Sequence, residues 1–366
     1  MDFSIEKEAL FDALSTLSKI NPSRTTLPIL STVLIKATGD KSVSFRSTDL
    51  EIEMEIKVDG KVLEQGETCA PIYKLLEITN AITDSSVSVN VNETQRMRIN
   101  TSTGKYLLMC NKTEEFPEER VIEDVPTKVS TKFLKETIKN TVYACSKDEL
   151  KPTLNGVLLD IGTTSITAVS TDGHRLVKYV CQQENAEPTI VLVPQKFLNI
   201  IALGTINTKT ANLKIYQDYT TIETENIKIS TRLISEKFPD YNNVIPKEQK
   251  NETTIKTSSI LSAVKKTALM SNKTTKGVVL KFSANKIIVS AEDHETGGSA
   301  TEEIEAAHTG EETTIGFNGN LLIEILKHQT TDKIKILTSE PLSATLFEQE
   351  NETKTETTTL LMPIRI

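Results

Sequence analysis

The chain has 366 residues, too many for one ordinary core, so two or three domains are expected. Hydrophobic residues make up 37% and charged residues 25%, and no apolar run reaches membrane-helix length, which excludes a helical membrane protein. The net charge of −8 argues, as a sum, against a nucleic-acid partner, but a sum hides how the charge is distributed.

The N-terminal stretch MDFSIEKEALFDAL carries acids inside its apolar pattern, unlike the basic start and unbroken apolar run of a signal peptide. The expected location is the cytoplasm. The apolar spacing of 4–20 predicts a first amphipathic helix, with Ser4 as its N-cap. Segments 30–38 and 42–49 alternate with period two and predict an antiparallel hairpin ending on Asp49. A second helix is predicted over 70–82, with Pro71 in its first turn. Further strands run to the Phe-Pro pair at Pro117.

The same order then returns twice. The next copy has a helix over 130–147 capped by Ser130, strands at 154–162 and 165–172, and a helix over 193–204 behind Pro194. The last copy has a helix over 256–272 capped by Thr257 or Ser258, strands at 277–284 and 286–293, and a helix over 317–329. Pro117, Pro239 and Pro363 follow one another at intervals of 122 and 124 residues. Several landmarks kept in register across three copies argue for a tandem repeat. The fold class is therefore α+β with antiparallel sheets, divided into domains at 1–125, 126–252 and 253–366.

Charge is sorted by element. The first helix of the second copy carries Lys132, Lys135 and Lys139, and that of the third carries Lys265 and Lys266; Lys74, Lys196 and Lys327 lie on the second helices. Segment 292–312 has eight acids and no Lys or Arg. Lysines on one helix are usually a solvated face, but recurrence on equivalent helices fits a surface that meets DNA phosphates without reading sequence. Tryptophan is absent and aromatics are 5%, which argues against a base-stacking platform, so duplex DNA is the expected nucleic acid.

Catalytic and metal-binding signatures are missing. There is no P-loop, GxGxxG or GxSxG motif, and neither the four cysteines nor the four histidines fall at ligand spacing. No enzymatic activity, cofactor or metal is expected, and the cysteines read as reduced, mostly buried thiols.

On these residues the chain resembles the bacterial DNA sliding clamp family, the beta subunit of the replicative DNA polymerase. RTTLPILSTVLI (24–35) and STDLEIE (47–53) are similar to the family's first domain; LNGVLLD (154–160), STDGHRL (170–176) and FPDYNNVIP (238–246) to its middle domain; LLMPIRI (360–366) to its tail. The resemblance implies three tandem repeats of the DNA-clamp fold, antiparallel sheets outside and helices inside, closing as a head-to-tail dimeric ring that tethers polymerase and repair proteins to duplex DNA. It implies a client-peptide pocket at Leu154, Thr171, Gly173, His174, Arg175, Leu176, Pro239, Val244, Leu360, Met362, Pro363 and Arg365. It places Arg24, Lys132, Lys135, Lys139, Lys151, Lys196, Lys265 and Lys266 toward DNA. The dimer joint would set Lys74, Lys105, Tyr106 and Leu108 against Leu269, Met270, Glu302 and Glu303. Ring opening would need a clamp loader, since this chain has no nucleotide motif. Lys151-Pro152-Thr153 departs from the Arg and two aromatics that some members carry, which would make one pocket wall shallower. A peptide-binding scaffold without topological DNA binding remains the alternative, because Asp172-Gly173 is also a plain turn signal and Met362-Pro363 a plain core edge.

Overall fold

The computed structural model describes residues 1–22, 25–119, 127–183, 188–206, 208–349 and 355–366, with the side chains of residues 127 and 128 left aside. Arg24, expected to face DNA, therefore lies outside the described residues. Among the described residues six α-helices alternate with strands: α1 (Lys7–Leu17), α2 (Ile72–Ala81), α3 (Thr131–Thr141), α4 (Gln195–Ile200), α5 (Thr257–Thr267) and α6 (Gly319–His328). None is long and apolar enough to cross a membrane.

Two compact units emerge. One comprises Met1–Leu134 with Ile200–Leu233, the other Lys135–Asn199 with Ile234–Ile366. In the first, α1 packs on α2, and α1 buries Leu10, Ala13, Leu14 and Leu17. In the second, α5 packs on α6, and Ile260, Val264, Leu322 and Ile325 join Val278, Leu280, Phe282, Phe317 and Phe347 in one apolar core.

The predicted hairpins form in all three copies. Thr32–Thr38 pairs with Ser42–Thr48, Gly156–Ile161 with Ser165–Thr171, and Gly277–Ser283 with Lys286–Asp293. The first helices start later than their spacing suggested. Residues Asp2–Glu6 form a strand between Ser86–Val91 and Ile52–Glu64, because Phe3 and Ile5 alternate into the core with period two. Ser4 is thus a strand residue, and α1 begins behind Glu6 without a side-chain cap. The same short strand precedes α3 and α5, at Thr127–Ser130 and Asn251–Lys256. Ser130 does accept the Phe133 N–H, at 3.4 Å, whereas the Thr257 hydroxyl turns to the Thr331 carbonyl. Pro71 and Pro194 stand one step before their helices, still paired in the preceding strands.

Sheet pairing runs from one repeat into the next. The first repeat's long strand Ile52–Glu64 is antiparallel to Ile227–Arg232, the last strand of the second repeat. The second repeat's Arg175–Gln182 is antiparallel in the same way to Thr355–Leu361, the last strand of the third. The equivalent strand of the third repeat, Gly298–Glu305, pairs only with Lys286–Asp293 among the described strands. Lys105–Met109, the last strand of the first repeat, pairs among the described strands only with Arg96–Asn100. Among the described residues, one edge of each is open.

Candidate client-peptide face and strand edges

The turn between Ser165–Thr171 and Arg175–Gln182 is fixed by its own side chains. Asp172 Oδ1 accepts the N–H groups of His174 and Arg175 at 2.8 and 3.0 Å. Thr171 Oγ1 donates to the Arg175 carbonyl at 2.6 Å and accepts the Gly173 N–H at 3.1 Å. Gly173 sits at φ +90, in the left-handed region where glycine costs least. His174 is exposed, and its carbonyl accepts the Met362 N–H at 2.8 Å, which stitches the C-terminal tail to the turn.

Behind the turn lies an apolar cluster. Leu176 and Leu360, directly paired across the sheet, are buried with Val169, Leu192, Phe238, Ala344 and Leu346; Tyr241 and Ile245 cover its margin. Beside it, Val244 and Met362 are 49% and 38% exposed and extend the apolar surface at the margin of the cluster. Pro239 and Arg365 are exposed, and Leu154 and Pro363 half-buried. Strands of the second and third repeats thus bring residues about 120 to 200 positions apart onto one face. Val169, Leu192, Phe238, Ala344 and Leu346 were not foreseen as part of it; strand alternation marks Val169, Leu192 and Leu346 as apolar strand positions but not against which neighbour, and Phe238 and Ala344 lie outside the strands, where no period applies.

Arg175 is present but not displayed. It is 5% exposed, and its guanidinium is committed to Asp172 at 3.0 Å, Glu324 at 2.8 Å and the Tyr143 carbonyl at 2.6 Å. It therefore braces the face from behind.

The open strand edges carry most of the other predicted positions. On Lys105–Met109, Lys105 and Tyr106 are exposed, as expected, but Leu108 is half-buried opposite Met97. Leu107 and Met109, which the sequence reading passed over, are 67% and 62% exposed. Strict alternation along Lys-Tyr-Leu-Leu-Met would have found them. Leu269 and Met270 are 80% and 45% exposed just after α5. Glu302 and Glu303 lie on the edge strand Gly298–Glu305, each within 2.9 Å of a lysine of its own repeat, Lys266 and Lys286. Lys74 is exposed and pairs with Glu77 at 2.9 Å.

Among the lysines expected to face DNA, Lys132, Lys135 and Lys139 are exposed along α3, Lys196 on α4, and Lys265 and Lys266 in the last turn of α5. Lys151 is exposed, 4.0 Å from Asp148. A separate open cleft of about 1160 Å³ lies where Ser4–Glu6 meet the hairpin of residues 40–42 and 57–62. It sets Lys41, Lys57 and Lys61 against Glu6, Asp40 and Asp59, so it has no net charge with which to attract a phosphate chain. No group of three His, Cys, Asp or Glu among the described residues could hold a metal ion. The thiols of Cys69, Cys110 and Cys145 are buried, and burial pushes those of Cys69 and Cys145 up to about 12.

Comparison with known proteins covers nearly the whole chain. Family models for the N-terminal, central and C-terminal domains of the DNA polymerase III beta subunit match residues 1–120, 128–240 and 242–365. The beta sliding clamp of Pseudomonas putida is 28% identical, and that of Vibrio cholerae 26%, with all of both chains covered in each case. The structure of a sliding clamp from Pseudomonas aeruginosa bound to griselimycin superposes with a TM-score of 0.93 at 26% identity over both full chains. The beta subunit from Streptococcus pyogenes shares the fold at a TM-score of 0.95 and 23% identity, again over both full chains. The α+β repeat read from the sequence is thus the clamp fold, and the chain belongs to the DNA polymerase III beta subunit family, the bacterial beta sliding clamps, whose members are non-catalytic processivity subunits of the polymerase.

Proposed function

We propose that two copies of this chain join head to tail into a ring around duplex DNA. The observation that carries this reading is the incomplete series of strand pairings. Twice within the chain, the same strand of one repeat is laddered to the last strand of the next. Among the described strands the third instance lacks a partner on both sides: Gly298–Glu305 and Lys105–Met109 each have an open edge. A second copy, rotated so that each edge meets the other, would complete the series at both joints and leave no open edge there. Around those edges Lys74, Lys105, Tyr106 and Leu108, with Leu107 and Met109 beside them, would meet Leu269, Met270, Glu302 and Glu303. Such a joint has an apolar centre and opposite charges at its rim.

Within that ring the three clamp domains would be 1–125, 126–252 and 253–366. Arg24, Lys132, Lys135, Lys139, Lys151, Lys196, Lys265 and Lys266 would face DNA and contact phosphates without sequence preference. Topological linkage makes tight binding unnecessary, which suits a chain whose net charge is −8. Peptide tails of the replicative polymerase, the clamp loader and repair proteins would dock their apolar anchors on Leu154, Leu176, Val244, Leu360 and Met362. The polar groups of Thr171, Gly173, His174 and Arg365, with Pro239 and Pro363 beside them, would fix the peptide backbone, and the buried Arg175 would support the turn from behind. The setting is the cytoplasm, with no membrane partner.

The test is the mass in solution, followed by retention on nicked circular DNA before and after linearisation. The chain mass is 40.5 kDa. A species of twice that mass, loaded on circles by a clamp loader and lost when the DNA is cut, is the expected result. A monomer that captures peptides, or retention indifferent to free ends, would favour the scaffold without topological DNA binding.

A further inference from the structure

The groups behind the client face form a connected brace whose central member lies outside the face itself. Tyr143 follows α3 in a short 3-10 turn, Val142–Ala144. Its carbonyl accepts a hydrogen bond from Arg175 Nη2 at 2.6 Å, and its ring lies 5.2 Å beneath the same guanidinium. The ring also stacks on His328, with centroids 3.7 Å apart and planes 10° from parallel. His328 is tied back into α6, since Nδ1 donates to the Glu324 carbonyl at 2.8 Å. The Glu324 carboxylate closes the circuit on Arg175 Nη1 at 2.8 Å. Arg175 in turn holds Asp172, the residue whose other oxygen sets the Thr171–Arg175 turn.

We propose that Tyr143 is a positioning residue for client-peptide binding, acting through Arg175 to hold the Thr171–Leu176 turn against α6 of the third repeat. The inference rests on the client-face reading. The physical reason is geometric. Arg175 is almost fully buried and has two carboxylates and one carbonyl as partners, so it cannot leave without stranding charge. Its guanidinium plane is nevertheless set by the surface beneath it, and that surface is the Tyr143 ring. Remove the ring and Arg175 keeps its charge partners but loses the platform that fixes their angle. The turn then samples several positions relative to Leu360 and Met362, and a peptide must freeze one of them on binding. None of Tyr143, Glu324 and His328 lies among the residues that the peptide would touch.

The experiment uses the full chain and a fluorescein-labelled synthetic peptide with Leu and Phe anchors, read by anisotropy. Tyr143→Ala is expected to weaken binding about tenfold, with Tyr143→Phe, which keeps the ring, within about twofold of the parent. Amide exchange at Gly173–Leu176 should quicken in Tyr143→Ala and not in Tyr143→Phe, while the oligomeric mass stays unchanged. If Tyr143→Ala fails to fold, Glu324→Gln, which preserves shape and removes one charge partner, should weaken the peptide about threefold. Met362→Glu separates this inference from the reading beneath it. Loss of binding in Met362→Glu with none in Tyr143→Ala or Glu324→Gln overturns the positioning role alone; no loss in any of them overturns the client face itself.

Discussion

The first and second repeats build the same turn in different surroundings. In the first, Asp49 Oδ1 accepts the N–H groups of Glu51 and Ile52, and Thr48 Oγ1 donates to the Ile52 carbonyl and accepts the Leu50 N–H. Bond for bond this is the Thr171–Arg175 turn. What differs is the lining. Arg46 and Glu53 stand where the second repeat has Val169 and Leu176. Arg46 is buried, lies 5.1 Å over the Phe116 ring, donates to the Pro117 carbonyl at 2.6 Å and sits 3.8 Å from Glu53. Ile29, Leu30, Cys69 and Phe116 form a small apolar cluster there, the counterpart of the larger one under Leu176. A buried ion pair thus fills in one repeat the space that aliphatic side chains line in the other. The turn is shared, and on the proposed client-face reading these two positions decide whether the surface beside it can receive an apolar anchor.

That contrast can be broken from either side. Transplanting the plug, Val169→Arg with Leu176→Glu, should abolish client-peptide binding, by about 100-fold or more in Kd by anisotropy, while strand pairing survives. Removing half of the original plug, Glu53→Ala, should cost about 3 kcal/mol in chemical denaturation, since Arg46 is left with less compensation. Removing both halves, Arg46→Met with Glu53→Leu, should come within about 1 kcal/mol of the parent. Cooperative unfolding of the double variant at a much lower denaturant concentration than Glu53→Ala would contradict the plug.

The turns also differ at their left-handed residue. Leu50 holds φ +78 where the second repeat has Gly173, and it is 44% exposed. Leu50→Gly should stabilise by about 0.5 kcal/mol, relief of strain exceeding the added freedom of the unfolded chain. Gly173→Leu should cost about 1 kcal/mol through φ alone, because a Cβ there meets nothing within 4 Å. Both are read from urea midpoints.

A further effect concerns pH. Burial raises Cys69 and Cys145 from 9.0 to about 12, and Tyr143 from 10.0 to about 12. The unfolded chain releases these protons first, so stability is unaffected below pH 9 and falls as pH rises from 9 toward 12. A thermal midpoint several degrees lower at pH 10.5 than at pH 8 is expected. Tyr143→Phe should recover a part of it.

The hairpins were legible because alternation and short polar turns are local signals, and each lies within a residue or two of its expected place. The start of α1 was not, because Phe3 and Ile5 satisfy a helical stripe and a strand alternation equally well. Only their partners at Val89 and Gly60 decide between the two. The turn at Asp172 was visible as Asp-Gly. The brace on Arg175 was not, since Tyr143 and Glu324 lie 32 and 149 positions away and no local pattern links them. Leu107 and Met109 were available in the sequence by the period-two rule, and their exposure places them on the open edge beside Lys105.

The long strand Ile52–Glu64 has a bearing on how the protein is made. Its residue Ile56 waits for Ile227, which a ribosome adds about 170 codons later. At ordinary elongation rates that is about 10 to 30 s during which the nascent first repeat carries a bare ladder of N–H and C=O groups. The cell must shield that ladder or outrun its pairing with a neighbouring nascent chain. Synonymous codons that slow translation between residues 65 and 226 would lengthen the exposure without changing one atom of the finished protein.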